Sequence, residues 1–279
     1  MTSPAAPRML QARGRALPLG PRTLVMGILN VTPDSFSDGG RSLAVEDALA
    51  TARRLTSEGA DILDIGGEST RPGHVPVAAD EEWARVAPVL EALQAETGVP
   101  ISIDTSKAEV ARRAIAAGAV IVNDVWGFTR DPEMAQVVAD SEAAAVLMHN
   151  RAEVDAGLDI IDELLAFFDG ALGRATRAGV RTDRIVLDPG IGFGKTFPQN
   201  LAAIARLPEL RVLGYPLLLG TSRKSLIGKV IDSLPAERVP GTIASNVIGI
   251  MAGVEIIRVH DVAAHVQAAR VAEAIRDAT

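Results

Sequence analysis

Eight short apolar runs, each followed by a longer alanine-rich stretch of helical period, constrain this chain more tightly than any other feature of its sequence. They lie near Leu24 to Leu29, Ile62 to Ile65, Pro100 to Ile103, Val120 to Val122, Ala144 to Met148, Ile185 to Leu187, Leu217 to Leu219 and Glu255 to Val259. Most are apolar at successive rather than alternate positions, the mark of strands covered on both faces. Strands that alternate with helices build parallel sheets, because a parallel pair needs a long crossover. Helices are expected between Ser42 and Gly59, from Asp80 to Thr97, and from Ser106, with Glu109 completing a capping box, to Gly118. Others are expected over Asp131 to Ser141, Leu158 to Ala178, Asn200 to Leu207, Val239 to Met251 and Val262 to Ala278. Eight strands with eight helices predict an α/β chain folded as a single closed (β/α)8 barrel, the TIM-barrel architecture. A doubly wound open sheet is the rival. It usually has fewer strands and a glycine-rich dinucleotide fingerprint after the first, whereas here the first strand runs into NVTPDSFSDGG.

The 279 residues suit one such barrel, which typically takes about 250. The start carries Arg8, Arg13 and Arg15 without the apolar segment of a secretion signal, so residues 1–20 are expected to be a flexible tail and 21–279 the barrel. No apolar run reaches the ~18 residues that cross a bilayer, which makes the cytoplasm the expected compartment. With 28 Lys plus Arg against 35 Asp plus Glu, the net charge is −7. That balance argues against sequence-independent nucleic-acid binding and against anionic membranes, yet permits a local basic pocket for a small anion. Cysteine is absent, which removes disulfides, thiolate metal sites and cysteine nucleophiles together.

Barrels of this kind form their active sites at the C-terminal ends of the strands. The residues there are Asn30, then Glu68 to Arg71, Asp104, Asn123 with Asp124, His149, Asp188, Ser222 to Lys224, and Arg258 with His260. Each has a bland reading. Aspartate caps helices, asparagine closes strands through local backbone bonds, a single histidine is commonly packed, and Arg223 reads as a structural ion-pair partner. Jointly these readings fail, because all would have to hold at one end of all eight strands. Ser222, Arg223, Lys224, Arg258 and His260 concentrate positive charge where such barrels often bind phosphate, implying an anionic ligand. Asp104 and Asp188, inside the mouth, imply a ligand edge bearing N–H donors. One molecule with an amide-like heterocycle at one end and phosphate at the other satisfies both. No His or carboxylate set has metal-ligand spacing, which leaves room for a magnesium ion carried by a diphosphate. The long polar connections Val31 to Arg41 and Gly66 to Ala79 are expected to act as hinged covers.

Longer motifs make the pattern specific. MGILNVTPDSFSDGG (Met26 to Gly40), DIGGESTRPG (Asp64 to Gly73), ISIDTSK (Ile101 to Lys107), VNDVWG (Val122 to Gly127), LDPGIGFGKT (Leu187 to Thr196), LLLGTSRKSLIG (Leu218 to Gly228) and RVHDV (Arg258 to Val262) closely resemble the dihydropteroate synthases, the folate-pathway enzymes targeted by sulfonamides. The likeness covers nearly everything after the first twenty residues. It implies a (β/α)8 barrel that joins 6-hydroxymethyl-7,8-dihydropterin diphosphate to 4-aminobenzoate with Mg²⁺ as cofactor, and a homodimeric assembly. By that resemblance Asp104, Asn123, Asp188 and Lys224 hold the pterin. Asn30, Arg71, Arg258 and His260 meet the diphosphate and the metal, with Asn30 as the metal ligand. The aminobenzoate lies nearer the rim, beside Thr70, Pro72, Phe193, Ser222 and, in the first loop, Phe36. Catalytic roles fall to Asp104, Lys224, Arg258 and His260, Asp104 stabilising the cation left as diphosphate departs.

This chain departs from the usual pattern in three places. FPQN follows GFGKT where a charged residue and histidine are commoner before Asn200, NRAEV follows LMH, and Val125 and Trp126 stand where smaller residues are frequent. A pterin-binding barrel of the methyltetrahydrofolate methyltransferase kind and a non-catalytic pterin-binding paralogue are the alternatives. The first needs neither the SRK run nor a complete SFSDGG loop, and the second usually loses site residues.

Overall fold

The computed structural model describes residues 8–31, 40–69 and 75–278, and within them the expected barrel forms. Its strands are β3 (Leu24–Asn30), β4 (Ile62–Gly66), β5 (Ile101–Asp104), β6 (Ile121–Asp124), β7 (Ala144–Met148), β8 (Ile185–Asp188), β9 (Leu218–Leu219) and β10 (Ile256–Val259). They run parallel in the order β8–β7–β6–β5–β4–β3–β10–β9. A parallel bridge between Leu187 and Leu217, beside a 2.9 Å bond from Leu187 N to the Pro216 carbonyl, joins β8 to β9 and closes the ring. Around it lie α1 (Gly40–Ser57), α2 (Ala79–Glu96), α3 (Ala108–Ala116), α4 (Met134–Ser141), α5 (Ile160–Ala178), α6 (Phe197–Ala205), α7 (Ser225–Ile231), α8 (Val239–Met251) and α9 (Val262–Arg276). Among the described residues no helix is long and apolar enough to cross a membrane.

Alternation along each strand sorts side chains between two faces. Outward, Val25, Leu63, Ile103, Val122, Leu147, Leu187 and Ile257 pack under the helices. Inward, Met26, Ile62, Ile121, Val146, Val186, Leu218 and Ile256 fill the lower barrel. Two residues further along four of these strands, the same inner face carries Asp64, Asn123, Asp188 and Arg258. The interior is therefore apolar below and polar at the mouth.

The expected flexible tail is corrected by β1 (Arg8–Ala12) and β2 (Arg15–Leu19), an antiparallel hairpin. It turns through Arg13 and Gly14, both at left-handed φ, which matches the twist of the strands. Leu10, Ala12 and Leu19 join the inner apolar cluster and plug the bottom of the barrel. The arginines that suggested a loose segment are its ties. Arg8, Arg13 and Arg15 donate to the carbonyls of Gly214, Ile115 and Gly98 in the barrel's lower connections.

Helix starts also differ from expectation, in one case because a side chain from elsewhere takes over the capping. Ser106 does not cap α3. Asp131 does so from a neighbouring loop, accepting from Ala108 N at 2.8 Å, and α4 begins later than expected, at Met134. Asp159 caps α5 by accepting from Ile161 N and Asp162 N. Helix α6 starts before Asn200, at a capping box in which Thr196 and Gln199 each bond the other's backbone N–H. The short α7 is an addition to the expected set. The first expected cover falls mostly outside the described residues, as do residues 70–74 of the second.

The plug yields a direct test. Leu10 is 1% exposed, and Leu10→Ala is expected to cost about 2–5 kcal/mol of stability. Urea denaturation measures this, and a loss under about 0.5 kcal/mol, the level of a surface change, would return the segment to a loose tail.

Candidate active site

Arg258, on β10, is the pivot of the mouth. Its Nε donates to Asp64 Oδ2 at 2.6 Å and an Nη donates to Asp104 Oδ2 at 2.7 Å. Asn123 Nδ2 donates to the same Asp64 oxygen at 3.1 Å. Register explains the meeting. Asn30, Gly66, Asp104 and Asn123 share one row across β3 to β6, and Asp64 lies two residues below Gly66. Burial pushes the Asp104 carboxyl up to about 7, against the pull of Arg258 and with repulsion from Asp64. Burial also opposes the Arg258 charge, but the two carboxylates outweigh it and raise that group. Asp64 Oδ1, Asp104 Oδ1 and Asn123 Oδ1 are buried without a hydrogen-bond partner among the described residues. Unpaired buried acceptors are costly, so the cluster suits a ligand that brings donors.

Opposite this cluster, Asp188 Oδ1 accepts from Gly190 N at 2.7 Å. Lys224 Nζ donates to the Ile191 carbonyl and lies 4.6 Å from the centroid of the Phe193 ring. Gly220, just past β9, marks where the groups converge. A Cβ there would stand 3.8 Å from Lys224 Nζ and 3.9 Å from both Arg258 Cβ and Asp188 Oδ2. Burial lowers the Lys224 ammonium to about 8, with Asp188 opposing, and it raises the Asp188 carboxyl, with Lys224 opposing.

The loops after β9 and β10 are zipped side by side. Ser222 Oγ and His260 Nδ1 are 2.8 Å apart, and His260 N donates to Ser222 Oγ at 3.1 Å. Arg223 forms a two-pronged pair with Asp261. Arg223 holds a left-handed φ of 54°, uncommon for any residue other than glycine, and is anchored where its N–H meets Thr242 and its carbonyl meets Arg238. Its structural reading holds, and its work is to set Ser222 and Lys224 on either side.

The structure thus gathers Asp104, Asn123, Asp188, Phe193, Ser222, Lys224, Arg258 and His260 about one mouth, with Asn30 closing β3 in the Asp104 row. Thr70, Arg71, Pro72 and Phe36 lie outside the described residues. Asp124 has a local role, accepting from Trp126 N and Phe128 N at 2.9 and 2.7 Å. Asp64 is the member sequence reasoning passed over, although a charge in the middle of the buried strand ILDIG was a signal. A cavity of about 740 Å³ opens beside Asp104, and Val125, Trp126, Asn150, Arg151 and Phe193 line it, so two of the three stretches read from the sequence as departures lie in its wall. Chemically the mouth offers acceptors for an N–H edge, cations for an anion, and a desolvated carboxylate able to face positive charge.

Residues 26–260 match the family described as pterin binding enzyme. The dihydropteroate synthase of Bacillus subtilis (strain 168) is 50% identical over 255 residues, which is 91% of this chain and 89% of that protein. The structure of Xanthomonas albilineans dihydropteroate synthase with 4-aminobenzoic acid superposes with a TM-score of 0.92 at 46% identity, covering 97% of this chain and 98% of that one. That of the Clostridium difficile enzyme in the presence of pteroic acid gives 0.91 at 51% identity, covering 92% and 98%. Likeness at this level, carried through every strand that builds the mouth, makes the chain a member of the pterin-binding enzyme family and, within it, of the dihydropteroate synthases.

Proposed function

We infer that the chain joins 6-hydroxymethyl-7,8-dihydropterin diphosphate to 4-aminobenzoate, releasing diphosphate and 7,8-dihydropteroate. The observation that carries this reading is the set of unpartnered acceptors on Asp64, Asp104 and Asn123, bonded through Arg258 into a mouth that also holds Lys224. A pterin's amino and ring N–H groups are donors for Asp188 and Asn123. The ligands of the Xanthomonas and Clostridium relatives, an aminobenzoate and a pteroate, support the same pair of chemistries.

The reaction breaks the bond from the methylene carbon to diphosphate oxygen and makes one from that carbon to the aniline nitrogen, which then sheds a proton. As the first bond lengthens, positive charge spreads into the pterin ring. An ionised Asp104, desolvated and already oriented by Arg258, stabilises that charge without having to reorganise. Negative charge gathers on the departing diphosphate, and Arg258 with His260 is our assignment for meeting it. Lys224 holds the pterin end, its ammonium positioned by the Ile191 carbonyl and the Phe193 ring. Asp104 and Lys224 are pulled toward neutrality by burial, so a ligand that restores partners to both is bound with a gain in electrostatic energy.

Mg²⁺ is the cofactor this reading carries. Asn30, which ends β3 in the Asp104 row, would supply one hard amide oxygen, and among the described residues no group of three or more His, Asp or Glu could cage a metal. A single protein oxygen suits an ion that arrives on the diphosphate, as magnesium does when it keeps waters and phosphate oxygens in its shell. Bound there, it would draw charge from the leaving group.

The deciding assay incubates the protein with both substrates and Mg²⁺ and follows dihydropteroate, with a sulfonamide as competitor for aminobenzoate; no product would overturn the assignment. Asp104→Asn is expected to lower kcat roughly 100- to 1000-fold while changing pterin affinity far less. The sign of its pH dependence follows from burial. A carboxyl raised to about 7 is ionised only above that value, so wild-type kcat/KM falls as pH drops below about 7, and the Asn variant lacks that limb. An unchanged turnover number would remove Asp104 from the chemistry. Lys224→Ala is expected to cost about 1.5–3 kcal/mol of pterin diphosphate binding, roughly 10- to 150-fold in Kd, read by calorimetry. Wild-type affinity in that variant would take Lys224 out of the pterin site.

A further inference from the structure

Lys195 is buried, and no step above uses it. It closes the loop that begins at Gly190, and its Nζ turns back inside that loop. Its partners are the Gly190 carbonyl at 2.8 Å, the Phe193 carbonyl at 3.0 Å and His149 Nδ1 at 2.7 Å. An ammonium has three protons, and here three acceptors surround it. His149 is held to accept. Its Nε2 lies 3.5 Å from Glu163 Oε1, a carboxylate that favours the ring proton on that nitrogen, and Phe167 packs edge-on against the ring with centroids 4.8 Å apart. Burial lowers the Lys195 ammonium to about 7 against the pull of Asp188 and Glu163, while Lys224 and Arg151 also oppose its charge.

The loop is built to let Lys195 reach. Gly190 has φ +65°, and a Cβ there would stand 1.9 Å from the His149 carbonyl oxygen, so only glycine permits the close approach. Phe193 N donates to the Gly190 carbonyl at 3.1 Å, and Asn200 Oδ1 from α6 accepts from Gly192 N. The outer side of the same loop faces Lys224. The Ile191 carbonyl accepts from its Nζ, the Phe193 ring lies under it, and a Cβ on Gly192 would sit 3.2 Å from its Cδ. Two lysines therefore grip one six-residue loop from opposite sides.

We propose that Lys195 is a positioning residue: with His149 as its acceptor, it holds the Gly190 to Lys195 loop in the shape that presents the Ile191 carbonyl and the Phe193 ring to Lys224. Its importance for substrate binding rests on the function inferred above, whereas its control of the loop does not.

The test is a double-mutant cycle read by calorimetry with 6-hydroxymethyl-7,8-dihydropterin diphosphate as the probe. Lys195→Met is expected to weaken binding by roughly tenfold or more through misplacement of Lys224. In a Lys224→Ala background the same change is expected to add less than about twofold, because the group it positions is gone. Additive losses, or no loss in the wild-type background, would overturn the proposal. Hydrogen exchange by mass spectrometry reads the loop without any ligand. Lys195→Met is expected to accelerate exchange at the amides of 190–194 while leaving α2 and α9 unchanged, and unaltered exchange there would also overturn it. If wild-type protein binds no pterin diphosphate, the functional reading falls and exchange alone decides the role of Lys195. Should Lys195→Met fail to fold, His149→Gln keeps a displaced acceptor and is expected to show smaller changes in the same direction, with wild-type behaviour in both measurements counting against the proposal.

Discussion

Two buried carboxylates and one buried guanidinium make the mouth of this barrel possible, and none of the three could be there alone. Asp64 and Asp104 each bond Arg258, and removing any partner would strand a buried charge. The cluster rests on the apolar layer of Ile62, Ile121, Val186 and Ile256, itself closed from below by Leu10 and Leu19 of the hairpin. That floor is electrostatic as well as structural. By keeping the interior dry beneath the mouth, it lowers the local dielectric and strengthens every interaction above it. The hairpin and the site are coupled in this sense although they lie at opposite ends of the strands.

The same dryness leaves the mouth unsatisfied in a directed way. Asp104 and Asp188 are raised and Lys224 is lowered, all primarily by burial, so each charge is held at a cost. Three oxygens of Asp64, Asp104 and Asn123 have no donor among the described residues. A ligand that supplies N–H groups on one side and negative charge on the other relieves both deficits together. This explains how a chain of net charge −7 can recruit a doubly phosphorylated molecule: what counts is local sign, fixed by strand register, and not the total.

Most of the barrel was legible in the sequence because strands covered on both faces leave continuous apolar runs, and because function in such barrels gathers at strand ends. Asp104, Asn123, Asp188 and Arg258 were found on that principle. Asp64 was not, since it sits in mid-strand, two residues below the row in which the strands end. The hairpin was missed for a related reason. Its five-residue strands are too short to display a period, and three arginines read as solvation until the carbonyls they bond are known. Helix starts slipped where the cap came from a distance, as Asp131 supplies α3, a relation that no local window contains. Lys195 and His149 were invisible as a pair because 46 residues separate them and a loop with three left-handed glycines folds one back toward the other.

The residues read from the sequence as departures from the usual pattern fall into a physical class of their own. Gln199 completes the α6 capping box and donates to the carbonyls of Asp155 and Leu158, work that needs an acceptor and a donor on one side chain. Arg151 lines the cavity and lies 3.7 Å from Glu163, the same carboxylate that faces His149 Nε2. Trp126 stands over the cavity's outer wall, with the Arg130 guanidinium 5.5 Å from its ring. All three belong to loops or helix starts, whereas the triad of Asp64, Asp104 and Arg258 is mounted on strands. Strands set charge placement to within the register of a sheet, and loops set the shape of the space around it. Changes at Trp126, Arg151 and Gln199 therefore act on the wall and the latch behind it, while the electrostatics that the reaction needs stay where β4, β5 and β10 put them.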